Sequence, residues 1–214
     1  GITPAGNFVD HSHPKPLAGL NVLSVVTADL SAEEQSALAS GRAKLIEARA
    51  KRVRPHRDDK VLVSWNGMML GAMARAGVIL DEPEFAEAAG RNADFIEHRM
   101  WEPDSGKLFY RWREGERTDV QLLDAYANLL AWLLDLYEAT LDPRRLKFAV
   151  GVAEAMIHRF HDPVGGGFWQ ATADAPHLIV RVKDDYDGAE PSGNSVAALA
   201  LLRLSAICDR RDWR

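Results

Sequence analysis

Between residues 31 and 208 the chain alternates helices of two kinds, and this alternation limits the fold more than any other feature of the sequence. The first helix opens with the capping box Ser31-Ala32-Glu33-Glu34 and runs to about Arg54, where Pro55 stops it. It is highly charged and belongs outside a core. From Ser64 to Leu80, apolar residues at Trp65, Met68, Met69, Ala72, Met73, Ala76 and Ile79 follow a helical period. The opposite side carries Gly67, Leu70, Gly71 and Ala74, with Asn66 and Arg75 alone strongly polar, which predicts a helix buried nearly all round. Residues 84–100 then show one stripe (Phe85, Ala88, Ala89, Ala93, Ile96, Met100) among charges, the pattern of a surface helix. The pair repeats as 120–139, apolar around most of the cylinder, and 144–161, with a single stripe. Residues 193–208 are again apolar almost everywhere.

Alternating surface and buried helices stack in a line as a solenoid or close into a ring as an α/α toroid. Helices of a solenoid are covered by neighbours on one side; helices apolar on nearly every side fit the inside of a ring. The sequence therefore predicts an all-α toroid, or an arc of one, over residues 31–214, with about three outer and three inner helices. Residues 1–30, rich in Pro and Gly, read as a loop lead-in with one short strand at "LNVLSVV" (20–26). "EPDSGKLFY" (102–110) and "DPVGGGFW" (162–169) each follow a surface helix and read as tight turns entering short strands at one mouth. The opening "GITPAGNF" reads as part of a longer chain. An incomplete ring would leave apolar edges, which predicts self-association or association with the remainder of a parent chain.

The net charge of −5 argues against a general affinity for nucleic acid or anionic lipid. Cys208 is the only cysteine, so an internal disulfide and a CxxC redox pair are excluded. No window reaches about 18 uninterrupted apolar residues, so no membrane span is expected and a cytoplasmic location is the default.

Inner helices of such a ring all point one way, so their N-termini share a rim. That rim would gather Arg57, Asp59, Trp65 and Asn66 before or in the first inner helix, and Asp124 and Tyr126 in the second. Lys183, Asp187, Glu190 and Asn194 precede or open the third, while Phe109, Trp112 and Trp169 come from the turn-strand loops. Each carboxylate taken singly fits a helix cap or turn. Together, Asp124, Glu190 and Asp187 form an acid–base set suited to a glycosidic bond or an anomeric carbon. Trp65, Tyr126 and Trp169 would stack on sugar rings, and Arg57, Asp59, Asn66, Lys183 and Asn194 would bind hydroxyls. The competing reading is a non-catalytic module binding a glycan, metabolite or protein at the same mouth, since no nucleophile, metal or phosphate motif occurs. The His11/His13 pair lacks further ligands nearby, and His158/His161 suit a helix C-terminus, so no metal and no cofactor are expected.

The stretches "RPHRDDKVLVSWNGMML", "DAYANLLAWLLDLYEAT", "GGGFW" and "RVKDDYDGAEPSGNSVAALALLRL" resemble the thioredoxin-domain-containing spermatogenesis-associated protein family, YyaL-like members included, over residues 1–208. The resemblance implies an α/α toroid similar to six-hairpin glycosidases and sugar 2-epimerases. The family's thioredoxin-like domain is missing here, so no redox role carries over, and the first part of the toroid is missing too. At Asp124-Ala125-Tyr126 the chain departs from relatives, which place an acidic residue directly before Asp-Tyr.

Overall fold

The computed structural model describes residues 2–12, 14–24, 29–176 and 178–214, in two compact units, Gly1–Arg57 and Asp58–Arg214. In the first, β1 (Phe8–Asp10) pairs antiparallel with β2 (Leu17–Leu20), so the strand expected at 20–26 lies earlier; residues 25 and 26 of that stretch fall outside the described residues. Helix α1 (Ala32–Ala50) has the predicted capping box: Glu34 N–H donates to Ser31 Oγ at 3.2 Å and Ser31 N–H to Glu34 Oε2 at 2.8 Å. None of its residues is buried, and it groups with the lead-in, so the boundary falls after Arg57 instead of after residue 30. Its Leu38, Leu45 and Ile46 are all exposed.

The second unit holds α2 (Val63–Ile79), α3 (Pro83–Met100), α4 (Leu123–Thr140), α5 (Pro143–Phe160) and α6 (Gly193–Cys208). Proline at the first turn of α3 and α5 starts each where a missing N–H costs nothing, and Asp142 Oδ1 accepts the Arg144 N–H at 2.9 Å to cap α5. The centre is α4, packed between α2 and α6, with α3 behind α2 and α5 behind α4. Small residues on α2 let it approach α4 closely. A Cβ at Gly67 would lie 3.2 Å from the Trp132 ring, and one at Gly71 would collide with that indole.

All three inner helices run the same way. Gly67 of α2 sits against Asn128 and Arg75 pairs with Asp135; on the other side Gly193 of α6 sits against Leu123 and Arg203 reaches Asp135 and Glu138. Contacts therefore advance together from N- to C-terminal ends. Asp135, buried on α4, receives Arg75 at 2.5 Å from α2 and Arg203 at 2.7 Å from α6, a clasp across the whole arc.

The uniform burial expected for inner helices holds for α4 alone. Helix α2 buries Gly67, Leu70, Gly71, Ala74 and Gly77, while Trp65, Met69, Val78 and Ile79 are exposed. Helix α6 exposes Leu199 and Leu202. An inner helix on either side covers α4; α2 and α6, at the ends of the arc, each have one inner-helix neighbour. Among the described residues, no helix is long and apolar enough to cross a membrane.

Candidate functional site

Every loop that enters an inner helix is fastened near the others. Strand β3 (Val61–Leu62) directly precedes α2 and pairs with β6 (Arg111–Arg113), which pairs with β7 (Glu116–Thr118). Strands β4 (Trp101–Glu102) and β5 (Lys107–Leu108) form the first predicted hairpin. The second is reduced to one bridge between His161 and Phe168. Leu122 bridges Ala171, and Leu123 N–H donates to Gln170 O at 3.0 Å, so this loop reaches the start of α4.

At this rim the structure brings together Trp65, Asp124 and Glu190. Trp65 Nε1 donates to Glu190 Oε1 at 2.5 Å across 125 residues of sequence, with the indole 56% exposed. Asp124, in the first turn of α4, has an Oδ1 shielded from solvent and without a hydrogen bond. Burial raises its pKa above the usual carboxylate value; the Ala125 N–H partly offsets this, and the charges of Glu190 and then Asp184 raise it further. Tyr110 belongs to the same cluster. Burial raises its pKa, followed by the charges of Asp124 and Glu190. Sequence reading named its neighbours Phe109 and Trp112 instead of Tyr110, and passed over Asp184 as a site residue. Phe109 is buried beneath the Arg117 guanidinium, 3.9 Å from its ring centroid, and Trp112 meets Phe95 edge-on at 5.4 Å. The signal for Tyr110 lay in its place between those two packed aromatics, on the strand turn that feeds β6.

The other candidates hold the rim in shape. Tyr126 is a correction: it is wholly buried and offers no stacking face. Its hydroxyl donates its single proton to Gln121 Oε1 (2.5 Å), with Gly106 O at 3.1 Å as the alternative acceptor, and accepts the Leu108 N–H (2.8 Å). Burial pushes its pKa up to about 12. Tyr126→Phe should therefore lower unfolding free energy by about 1–3 kcal/mol, seen as a lower urea midpoint, because buried polar partners are stranded. Asn66 donates to Leu62 O (2.8 Å) and accepts from Asn92 Nδ2 (2.9 Å). Asn194 accepts the Phe168 N–H (2.7 Å) and donates to Phe168 O (2.9 Å) and Asp184 O (3.0 Å). Asp187 accepts the Ser192 N–H at 2.8 Å and the Ser195 hydroxyl at 3.4 Å, the bland helix-entry role. Asp59 forms an ion pair with Arg113 at 2.8 Å, and Arg57 lies in the first unit, exposed.

Lys183 donates to Asp162 Oδ2 and to Gly166 O, both at 2.6 Å, and with Arg181 lies over the Trp169 ring, at 4.6 and 5.0 Å. Trp169 thus already has cations as partners. The Lys183 hydrogen bond, helped by the Gly165 and Val164 N–H groups, holds the Asp162 carboxyl down at about 2. A depressed carboxylate stabilises the fold above its ordinary value of 3.8 and loses that effect as pH falls through about 2. Lys183→Ala is expected to speed amide hydrogen exchange across Val164–Gly167 at neutral pH, a difference that fades on acidification through that window.

Among the described residues no three His, Cys, Asp or Glu side chains form a metal-binding group; His13 lies outside the described residues.

No family model matches the chain. It is 36% identical to human spermatogenesis-associated protein 20 over 232 aligned residues, covering 100% of the chain and 30% of that protein. A Caenorhabditis elegans protein, uncharacterized protein B0495.5, is 28% identical over 100% of the chain and 31% of its own length. The chain thus spans about a third of these relatives. Among solved structures, cellobiose 2-epimerase from Bacillus thermoamylovorans superposes with a TM-score of 0.61 at 13% identity, over 75% of this chain and 43% of that one. The family 76 α-mannanase BT2949 of Bacteroides thetaiotaomicron gives 0.59 at 12% identity, over 75% and 43%. A D-mannose isomerase gives 0.56 at 15%, over 84% and 53%. These likenesses establish the α/α-toroid fold. The alignment over its full length makes this chain a homologue of spermatogenesis-associated protein 20, and its own fold is an arc of an α/α toroid.

Proposed function

We propose that the rim formed by the inner-helix N-termini binds a saccharide and acts on it by acid–base chemistry, with Asp124 as the proton donor. The observation that carries this reading is the convergence of Asp124, Glu190 and Trp65 from three separate entries to the arc. A carboxyl whose pKa is raised by burial and by a neighbouring carboxylate is suited to protonating a glycosidic or carbonyl oxygen. Trp65 supplies an exposed aromatic face beside it, and Glu190 orients that indole while keeping a second carboxylate near Asp124. Structural neighbours that act on sugars, by hydrolysis and by isomerisation or epimerisation, support the substrate class.

The test is a panel of mannose, cellobiose and α-1,6-mannobiose, with products separated by chromatography. New reducing ends would mark hydrolysis; a changed sugar of the same mass would mark isomerisation. Turnover that survives both Asp124→Asn and Glu190→Gln would exclude the assignment. The alternative, a binding module without turnover, is favoured by how many rim side chains serve the scaffold. It predicts saturable binding by the parent that Asp124→Asn leaves intact, with no product from either.

A further inference from the structure

Two tyrosines stand near the rim, and they use their hydroxyls in opposite ways. Tyr126 is wholly buried, and its hydroxyl is engaged by Gln121 Oε1 and the Leu108 N–H. Tyr110 is half-buried, with its ring packed on the core. Among the described residues its hydroxyl makes no hydrogen bond. A buried tyrosine hydroxyl ordinarily finds a protein partner, whereas an amphipathic side chain with a packed body and an open tip presents that tip to something else.

The backbone fixes where Tyr110 stands. Val63 N–H donates to Tyr110 O at 3.1 Å, and Leu62 pairs with Arg111 where β3 meets β6, so Tyr110 is tied to the first residue of α2, the helix that carries Trp65. Burial first, then the charges of Asp124 and Glu190, raise the pKa of its phenol, which therefore keeps its proton at neutral pH and stays a donor. Donors matter at this rim because the ionised carboxylates of Glu190 and Asp184 only accept. Other donors there are already engaged: the Trp65 N–H by Glu190, Asn66 by Leu62 O, Asn194 by Phe168 O and Asp184 O, and Lys183 by Asp162 and Gly166 O. A sugar hydroxyl donates to a carboxylate readily. The ring oxygen of a sugar has no proton to give and needs a donor opposite it.

We infer that Tyr110 is a substrate-binding residue whose hydroxyl donates to the ring oxygen of the bound saccharide. This rests on the saccharide reading of the rim and deepens it. Carboxylates take the hydroxyls of the sugar and the exposed face of Trp65 takes an apolar face of its ring. Tyr110 supplies the donor that none of these provides, which leaves the proton of Asp124 for the exocyclic oxygen. A site built to hydrogen-bond one group of a ligand discriminates against an analogue that lacks it, so the ring oxygen becomes a determinant of specificity.

Titration calorimetry with mannose, cellobiose and α-1,6-mannobiose tests this on the parent, Tyr110→Phe and Tyr126→Phe. Tyr110→Phe should raise Kd about three- to tenfold, the effect of losing one neutral hydrogen bond. Its urea midpoint should not fall, because the hydroxyl leaves no protein partner stranded. Tyr126→Phe should do the reverse, lowering the midpoint and leaving Kd unchanged. Carbocyclic mannose, with a methylene in place of the ring oxygen, should bind the parent and Tyr110→Phe alike. The inference is overturned, with the saccharide reading left standing, by any of four results: Tyr110→Phe binds mannose as the parent does, its urea midpoint falls, its deficit persists with carbocyclic mannose, or Tyr126→Phe shows an equal loss of affinity. A parent that binds none of the three sugars would overturn both.

Discussion

Replacing Arg75 and Arg203 together by alanine is expected to destabilise the arc by roughly 3–5 kcal/mol, a large part of the stability of an ordinary domain. The reason is an asymmetry in the clasp. Asp135 is almost wholly shielded between three helices, whereas Arg75 is more than half exposed and Arg203 about a quarter. Removing the arginines strands a carboxylate where water cannot reach it. Removing the carboxylate leaves two guanidiniums that can turn toward solvent, and Arg203 keeps Glu138 at 3.0 Å. Asp135→Leu should therefore cost far less than the double arginine change, and could equal the parent. Urea unfolding followed by circular dichroism gives both values. An Asp135→Leu variant as unstable as the double variant would show that the clasp itself, and not the burial of one charge, governs stability.

Asp124→Asn is expected to separate function from stability in opposite directions. If Asp124 donates the proton, turnover falls by about 10²–10⁴-fold, the usual contribution of a positioned acid or base. Stability at neutral pH should rise. The folded pKa of Asp124 lies above its unfolded value of 3.8, so the fold favours the protonated form. The stabilisation from that preference is complete below pH 3.8 and is lost as pH rises through the raised folded value. At pH 7 the parent carries a buried, partly desolvated carboxylate with an unpartnered Oδ1, and the amide removes that charge. Thermal unfolding of parent and variant should thus diverge at pH 7 and converge as pH falls toward 4. A site that costs stability where it works is the usual signature of a functional carboxyl. Equal melting temperatures at every pH would count against a strained Asp124.

The helix that reads as buried on all sides in sequence differs from one that is so in the fold for a definable reason. Residues 63–79 and 193–208 have the composition of inner helices, and composition records what a helix is built to meet. Whether the neighbour is present depends on the rest of the assembly. Helix α4 has an inner helix on both sides and is buried; α2 and α6 have an inner helix on one side each, and their other faces carry Met69 and Leu199 to the surface. The same limit applied to the rim. Tyr126 and Asn66 have the residue types of a sugar site, yet their polar atoms close hydrogen bonds to Gly106, Leu108, Gln121, Leu62 and Asn92. Nothing local to those residues announces such partners.

By itself the sequence determined the helices, their order and their common direction, because apolar period, caps and proline act within one turn of the chain. It also determined that acids and aromatics would cluster at helix entrances. Only the tertiary structure decided which of them face an open rim: Trp65 with Glu190, and Asp124 beside them, while Asp187 and Asn194 became fastenings. Burial and pairing are properties of groups brought together from distant segments, and the 125 residues between Trp65 and Glu190 carry no local record of that meeting.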